Sequence, residues 1–275
     1  MNQNYDLIIQ QHYKEQASTH GLEPSSTMLD LTTRDLETSA ILNLVEYLFS
    51  RSTLPFEVLE IGCGNGNLLE LISGKFSNLT LTGIDFNTEM VELALARQIN
   101  NCDIKQGDVR NLQLPDATFD VIISERCLIN ILDVADQVKA VQELWRVLKP
   151  SGYVIFLESF QDGLENLNKA RRELGLSDNS MPHHNLWFEK NDFFNRIKDM
   201  FDVLESNKLE SYLPGHNFLS SHYFISRVFY PCVTKADILY NTEFVKFFQF
   251  LPPIGNYSPI QLFLLRKIDG QIEFQ

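Results

Sequence analysis

The stretch that most constrains this chain is VLEIGCGNGNLLELI, residues 58–72. Val58, Leu59 and Ile61 read as a short buried strand, which stops at Gly62, Gly64 and Gly66, spaced two apart. A helix follows at once, with Leu68, Leu69, Leu71 and Ile72 on one side and Gly74 closing it. Such a strand, turn and helix start offers bare backbone to a ligand, because glycine has no Cβ and tolerates positive φ. The dinucleotide fingerprint G-x-G-x-x-G needs glycine at position 67, where helix and strand pack closely. The chain has Asn67 there, which disfavours NAD.

Further elements follow in order. Leu79 to Ile84 reads as a second strand ending in Asp85, 23 residues after Gly62. An acid there is placed to accept hydrogen bonds from both hydroxyls of an adenosine ribose. Asn87 caps a helix of inward-facing Met90, Leu93 and Ala94. A short strand runs from Ile104 to Asp108 and Val109, and Phe119 to Glu125 is apolar as a central parallel strand should be. A helix spans about Asp133 to Leu148, its stripe made by Val134, Val138, Val141, Trp145 and Leu148. Tyr153 to Leu157 forms a fifth strand leading to Glu158 and Ser159. Upstream, residues 39–50 read as an amphipathic scaffold helix and Leu7 to Gln16 as a shorter one.

The acid-x-G-x-G-x-G pattern from Glu60 to Gly66, then Asp85, Asp108, the strand ending in Glu125, and LWRVLKPSGYVIF together resemble the class I S-adenosylmethionine-dependent methyltransferases. The resemblance implies an α/β, Rossmann-like fold with a mostly parallel seven-stranded sheet and a reversed terminal strand. It implies one domain over residues 1–275, with an N-terminal cap at 1–35 and substrate-cap insertions at about 160–200 and 210–258. The implied cofactor is S-adenosyl-L-methionine, leaving as S-adenosyl-L-homocysteine. Gly62, Gly64 and Gly66 beside Glu60 would admit its methionine part, Asp85 and the adjacent Phe86 its ribose, and Asp108 and Val109 its adenine. His12 and Tyr13 on an N-terminal helix would reach over it, and Glu125 would face its methyl group.

The remainder must choose the acceptor. Arg126 and Asn130 follow the fourth strand, although Glu125 and Arg126 also suit each other as an ion pair. Arg171 interrupts an apolar stripe with Leu164, Leu167 and Leu174, so it either holds an acidic acceptor or makes an internal ion pair. His183, His184 and Asn185 lie in a loop before Trp187, and His184 is the first choice of base, Glu125 the second. No spacing here suggests a metal site. His222 to Tyr230 is drawn as a helix stopped by Pro231, with Tyr223, Ser226, Arg227 and Tyr230 on a polar face suited to a sugar acid or to solvent. Strands at Phe201–Leu209 and Pro259–Ile268 would lie inside the sheet and form the terminal hairpin. RCLIN, LNKARRELGL, HHNLWF and SRVFYP also look like a bacterial subgroup associated with surface-glycan biosynthesis, which implies a glycan-precursor acceptor.

Composition sets the outer bounds. With 275 residues, 44% of them hydrophobic, the chain can bury a large core. Its 36 acids against 23 bases give a charge of −13, which repels nucleic acid where no basic cluster intervenes. Four scattered cysteines, the plain N-terminus and the lack of long apolar runs lead us to expect a cytoplasmic protein that engages no membrane. The expected activity is methyl transfer to a hydroxyl or amine of a small polar acceptor, an acidic sugar-like one included. The rival readings are an NAD-dependent oxidoreductase or epimerase, and a cofactor-binding interaction protein without turnover.

Overall fold

The computed structural model describes residues 3–26, 28–52, 55–236 and 238–269. Seven strands form one sheet: β1 (Phe56–Ile61), β2 (Leu79–Asp85), β3 (Cys102–Gln106), β4 (Phe119–Glu125), β5 (Leu148–Ser159), β6 (Phe201–Leu204) and β7 (Ile260–Lys267). Their order is β3-β2-β1-β4-β5-β7-β6, with β7 antiparallel to both neighbours and the first five parallel. The central strands are buried on both faces, as Val58, Leu59, Ile61 and Val121 to Ile123 demonstrate. Their polar ends therefore gather at one edge of the sheet, where the chain reverses direction and ligands bind in open α/β folds.

The helices are α1 (Gln3–His20), α2 (Leu31–Phe49), α3 (Asn67–Lys75), α4 (Thr88–Ala96), α5 (Val134–Val147), α6 (Gln161–Glu173), α7 (Lys190–Ile197), α8 (Ser206–Leu209), α9 (Ser220–Phe224), α10 (Tyr230–Thr234) and α11 (Glu243–Phe247). Side-chain caps fix several starts: Asn87 accepts from Met90 N, Asp133 from Asp136 N and Asp30 from Thr33 N.

Several boundaries differ from the sequence expectation. α2 begins at Leu31 rather than at residue 39, because Asp30 caps it one full stretch earlier. Gly74 lies inside α3, whose cap is Phe76, and Leu71 faces solvent while Leu68, Leu69 and Ile72 are buried. The expected long strand at Phe201–Leu209 is four residues of edge strand followed by α8, since Ser206 turns inward to donate to the Pro214 carbonyl. Pro231 does not stop the helix before it. Ile225–Phe229 adopts a π-helical turn between α9 and α10, and the widened register absorbs the proline, which lacks an N–H.

Candidate functional site

The glycine turn after β1 is built by backbone geometry. Gly62, Gly64 and Gly66 have φ of 66°, 53° and 77°, a region that favours glycine. Asp85, at the end of β2, accepts from Gly64 N at 2.8 Å and from Asn87 N at 2.8 Å, so one carboxylate ties the turn to the start of α4. Burial pushes Asp85 upward, and those backbone N–H groups oppose it. A Cβ on Gly62 would sit 2.7 Å from Cys127 Sγ and 2.8 Å from its Cβ. We expect Gly62→Ala to cost about 2 to 4 kcal/mol from strain and overpacking together. A thermal melt checks this, and an unchanged midpoint would mean the turn is looser than drawn.

A cavity opens over this turn. Its floor includes Gly62, Gly64, Asp85, Phe86, Asp108 and Val109, and α1 roofs it with Tyr5, Ile9 and Tyr13. Gly66 does not line it; its missing Cβ lets α4 approach, with Ala94 Cβ 3.1 Å from where one would stand. α1 is fastened down at several points. Asn87 Nδ2 donates to the Gln10 carbonyl, Tyr5 donates to Asp136 at 2.7 Å, and Arg110 reaches Tyr5, Asp6 and Asp108. Asp108 thus stands at the cavity wall with Arg110 already on its carboxylate.

Behind the turn lies a buried cluster of charge. Arg126 contacts Glu37 at 3.2 Å and Glu125 at 3.1 Å, and Arg34 lies 3.6 Å from Glu125. Their side chains are between 0% and 13% exposed, so this is an interior network rather than a surface pair. Burial pushes Glu37 above the ordinary carboxylate range despite Arg126. Burial also pushes Glu125 up, but the charges of Arg34 and Arg126 outweigh it and hold that carboxyl low. Glu60 is held well above its usual range by burial and by Glu125, and its Oε2 has no hydrogen-bond partner. Arg34 and Glu37 escaped the sequence reading. They sit four and seven residues past the Asp30 cap, a cue that appears only once α2 is known to start at Leu31.

Arg126 itself has φ of 51°, rare for a side chain of this size and a mark of a position held by its surroundings. The holding group is Glu158 at the end of β5. It accepts from Ser124 Oγ at 2.6 Å and from Cys127 N and Leu128 N at 2.9 and 3.0 Å. Glu158 was read only as the residue after a strand, yet it fixes the whole turn from Arg126 to Asn130. Burial outweighs these bonds and pushes it up to about 7.

A second cavity of about 620 Å³ adjoins the first, and Tyr13 and Arg126 line both. His184, Asn185, Tyr223 and Arg227 are in its wall, together with His12, Trp187 and Tyr240. Asn185 donates to Asn130 Oδ1 at 2.9 Å, while Asn130 lines the first cavity. His184 stacks on His12 with ring centroids 3.8 Å apart, and its Nδ1 is buried without a partner. Burial, with the neighbouring His12 and His183, lowers His184 to about 4. Arg227 lies between the rings of Tyr223 and Tyr240, 3.7 and 4.5 Å from their centroids. Its guanidinium donates to Asp30 at 2.9 Å, and His222 Nε2 lies at the same distance from that carboxylate. The polar face of this helix is thus the buried one.

Three of the candidate residues stand elsewhere. Arg171 is buried but donates to the carbonyls of Ser177 and Arg227, so it fastens the loop after α6 rather than lining either cavity. His183 is exposed beside its neighbour, and Tyr230 packs against Phe244. Among the described residues no cluster of three or more His, Cys, Asp or Glu could hold a metal, and no helix is long and apolar enough to cross a membrane.

Residues 58–152 match the family model described as a methyltransferase domain. They are a methyltransferase domain. This domain spans β1 to the glycine turn of β5, and the seven-stranded sheet with reversed β7 that encloses it has the class I methyltransferase fold. A malonyl-[acyl-carrier protein] O-methyltransferase of Priestia megaterium is 31% identical over 132 residues, 46% of each chain. A demethylmenaquinone methyltransferase of Deinococcus radiodurans is 31% identical over 108 residues, 38% of this chain and 43% of that one. The chain therefore spans less than half the length of these curated relatives. Among solved structures, a chain of the complex between the Haloferax volcanii Trm112 methyltransferase activator and its methyltransferase superposes with a TM-score of 0.53. It is 16% identical, over 83% of this chain and 90% of that one, and it shares the fold. Residues 58–152 supply most of the first cavity's lining, and segments outside them supply most of the second's.

Proposed function

We propose that the chain transfers a methyl group from S-adenosylmethionine to an oxygen or nitrogen of a small, acidic, sugar-like acceptor. The observation that carries this reading is that two cavities, one of them over the glycine turn, meet at Tyr13 and Arg126. The residues of the first cavity fit the cofactor. Bare backbone at Gly62 and Gly64 suits its amino-acid end, and the opposite charges of Arg34 and Glu125 match a zwitterion. The unpartnered Oε2 of Glu60 suits an ammonium group nearby. Asp85 retains lone pairs for ribose hydroxyls, Phe86 and Val109 provide apolar walls, and Asp108 is the acceptor for an adenine amino group.

When bound, the cofactor supplies an electrophilic methyl on a positively charged sulfur. The chain's own contribution is to hold the acceptor atom in line with that methyl and to exclude water. Tyr13 and Arg126 stand at the junction, while Asn185, Tyr223 and Arg227 form the wall against which an acceptor is oriented. The residues able to shape specificity thus lie mainly in the segments after residue 160.

Transfer of methyl-labelled cofactor to a panel of acidic sugars, nucleotide-sugars, neutral sugars, amines and phenols tests this. Label in anionic sugars alone is expected. Label in neutral or aromatic acceptors would overturn the acidic-sugar reading and leave methyl transfer standing, and loss of all transfer from a cofactor-binding protein would overturn the reading as an enzyme.

A further inference from the structure

We infer that the methylated atom is a carboxylate oxygen of the acceptor, held by Arg126 where the two cavities meet, and that the product is a methyl ester. This rests on the methyl-transfer reading of the same site. Arg126 lines both cavities, so the residue stands where they adjoin, with its guanidinium on Glu37 and Glu125. Its backbone is held at φ of 51° by a turn that Glu158 organises, so the side chain is delivered there at a conformational cost.

Charge points the same way. The second cavity is lined by two guanidinium side chains, Arg126 and Arg227, against the one acid Asp178, in a chain of net charge −13. Within the cluster of Arg34, Glu37, Glu125 and Arg126, two guanidiniums face two carboxyls, and Glu37 is held toward its protonated form. An arriving carboxylate would add a further partner for Arg126 beside this network.

An alcohol acceptor would have to lose a proton on attack, and the groups around the junction are poorly matched to take it. His184 is held toward acid by burial, His12 and His183, and Glu125 is held low by Arg34 and Arg126. Tyr13 is pushed upward by burial, which keeps its hydroxyl protonated. A carboxylate needs no base. Its oxygen forms the new O–CH3 bond, the S–CH3 bond breaks, and the electron pair of that bond stays on sulfur. A negative acceptor and a positive sulfonium become a neutral ester and a neutral thioether, with no proton left to place.

The test incubates the full chain with methyl-labelled S-adenosylmethionine and with glucuronate, gluconate, malonate and octanoate, each beside its primary amide. The expected result is label in at least one acid, released as methanol by mild alkali, with transfer to its amide at least tenfold lower. Alkali-stable label, or equal transfer to the amide, would overturn the inference while methyl transfer stands. No label in any acid, from protein that still binds S-adenosylhomocysteine, overturns it as well; failure to bind S-adenosylhomocysteine removes the reading beneath it. A binding readout is independent of turnover. With S-adenosylhomocysteine present, the labelled acid should bind Arg126→Lys at least tenfold more weakly than wild type, because lysine keeps the charge but loses the planar fork. Equal affinity in a variant that melts like wild type would contradict the role of Arg126.

Discussion

Replacing Asp85 with asparagine is expected to weaken S-adenosylhomocysteine binding by roughly 30- to 150-fold, about 2 to 3 kcal/mol. The carboxylate now accepts from Gly64 N and from Asn87 N, one on each oxygen, both at 2.8 Å. An asparagine must set its NH2 against one of these N–H groups, so the glycine turn or the start of α4 has to shift. The substitution also removes a charged acceptor from the cavity, and hydrogen bonds to a charged group are the stronger kind. Calorimetric titration reads the loss directly. Asp85→Asn binding with wild-type affinity would mean that the cofactor lies elsewhere.

The second large effect is on stability. Asp30→Ala should destabilise the fold by about 3 to 5 kcal/mol, because it leaves Arg227 buried without its carboxylate. At about 2 to 4 °C per kcal/mol, the midpoint should fall by about 6 to 20 °C. Asp30 also caps α2 through Thr33 N, so the loss reaches the helix that carries Arg34 and Glu37. The pH dependence has a definite sign. Burial raises Asp30, but the hydrogen bond from His222 and the charge of Arg227 outweigh it and hold the carboxyl far below its usual range. A carboxyl depressed in the folded state contributes stability that is complete above its unfolded value of about 3.9 and is lost as pH falls toward the folded value. Urea midpoints of wild type and Asp30→Ala should therefore differ fully at pH 6 and converge below about pH 4. An undiminished difference at pH 3 would mean that the Asp30 charge contributes little.

The fold was legible where local chemistry and the sheet agree. The β1 turn combines a buried apolar strand with three glycines at positive φ, and β4 is so apolar that only a central parallel position suits it. Helix starts at Asn87 and near Asp133 were equally plain, since each cap residue satisfies an amide three residues on. The end of α3 was misread because Gly74 is tolerated inside a helix, and β6 because a short edge strand and a following helical turn look alike in an apolar stretch.

The candidate site was legible in its glycine turn and its strand-end acids, which mark the ends of strands that can be read one by one along the chain. Its buried charges were not. Glu37 and Arg126 are 89 residues apart, and Asp30 and Arg227 are 197 apart, so neither pair leaves a local pattern. In sequence Arg171 interrupts an apolar stripe and Arg227 sits on a polar helix face, and both were candidates to hold an acidic acceptor. Only the packing distinguishes one that binds the carbonyls of Ser177 and Arg227 from one held between two tyrosine rings in a cavity wall.

The central claim is that the cavity over the glycine turn takes S-adenosylmethionine and not a nicotinamide dinucleotide. Calorimetric titration of the full chain with S-adenosylhomocysteine and, separately, with NADH tests it most directly. The account predicts saturable one-to-one binding of S-adenosylhomocysteine and none of NADH at the same concentrations. Binding of NADH in preference, or a folded protein that binds neither, would contradict it.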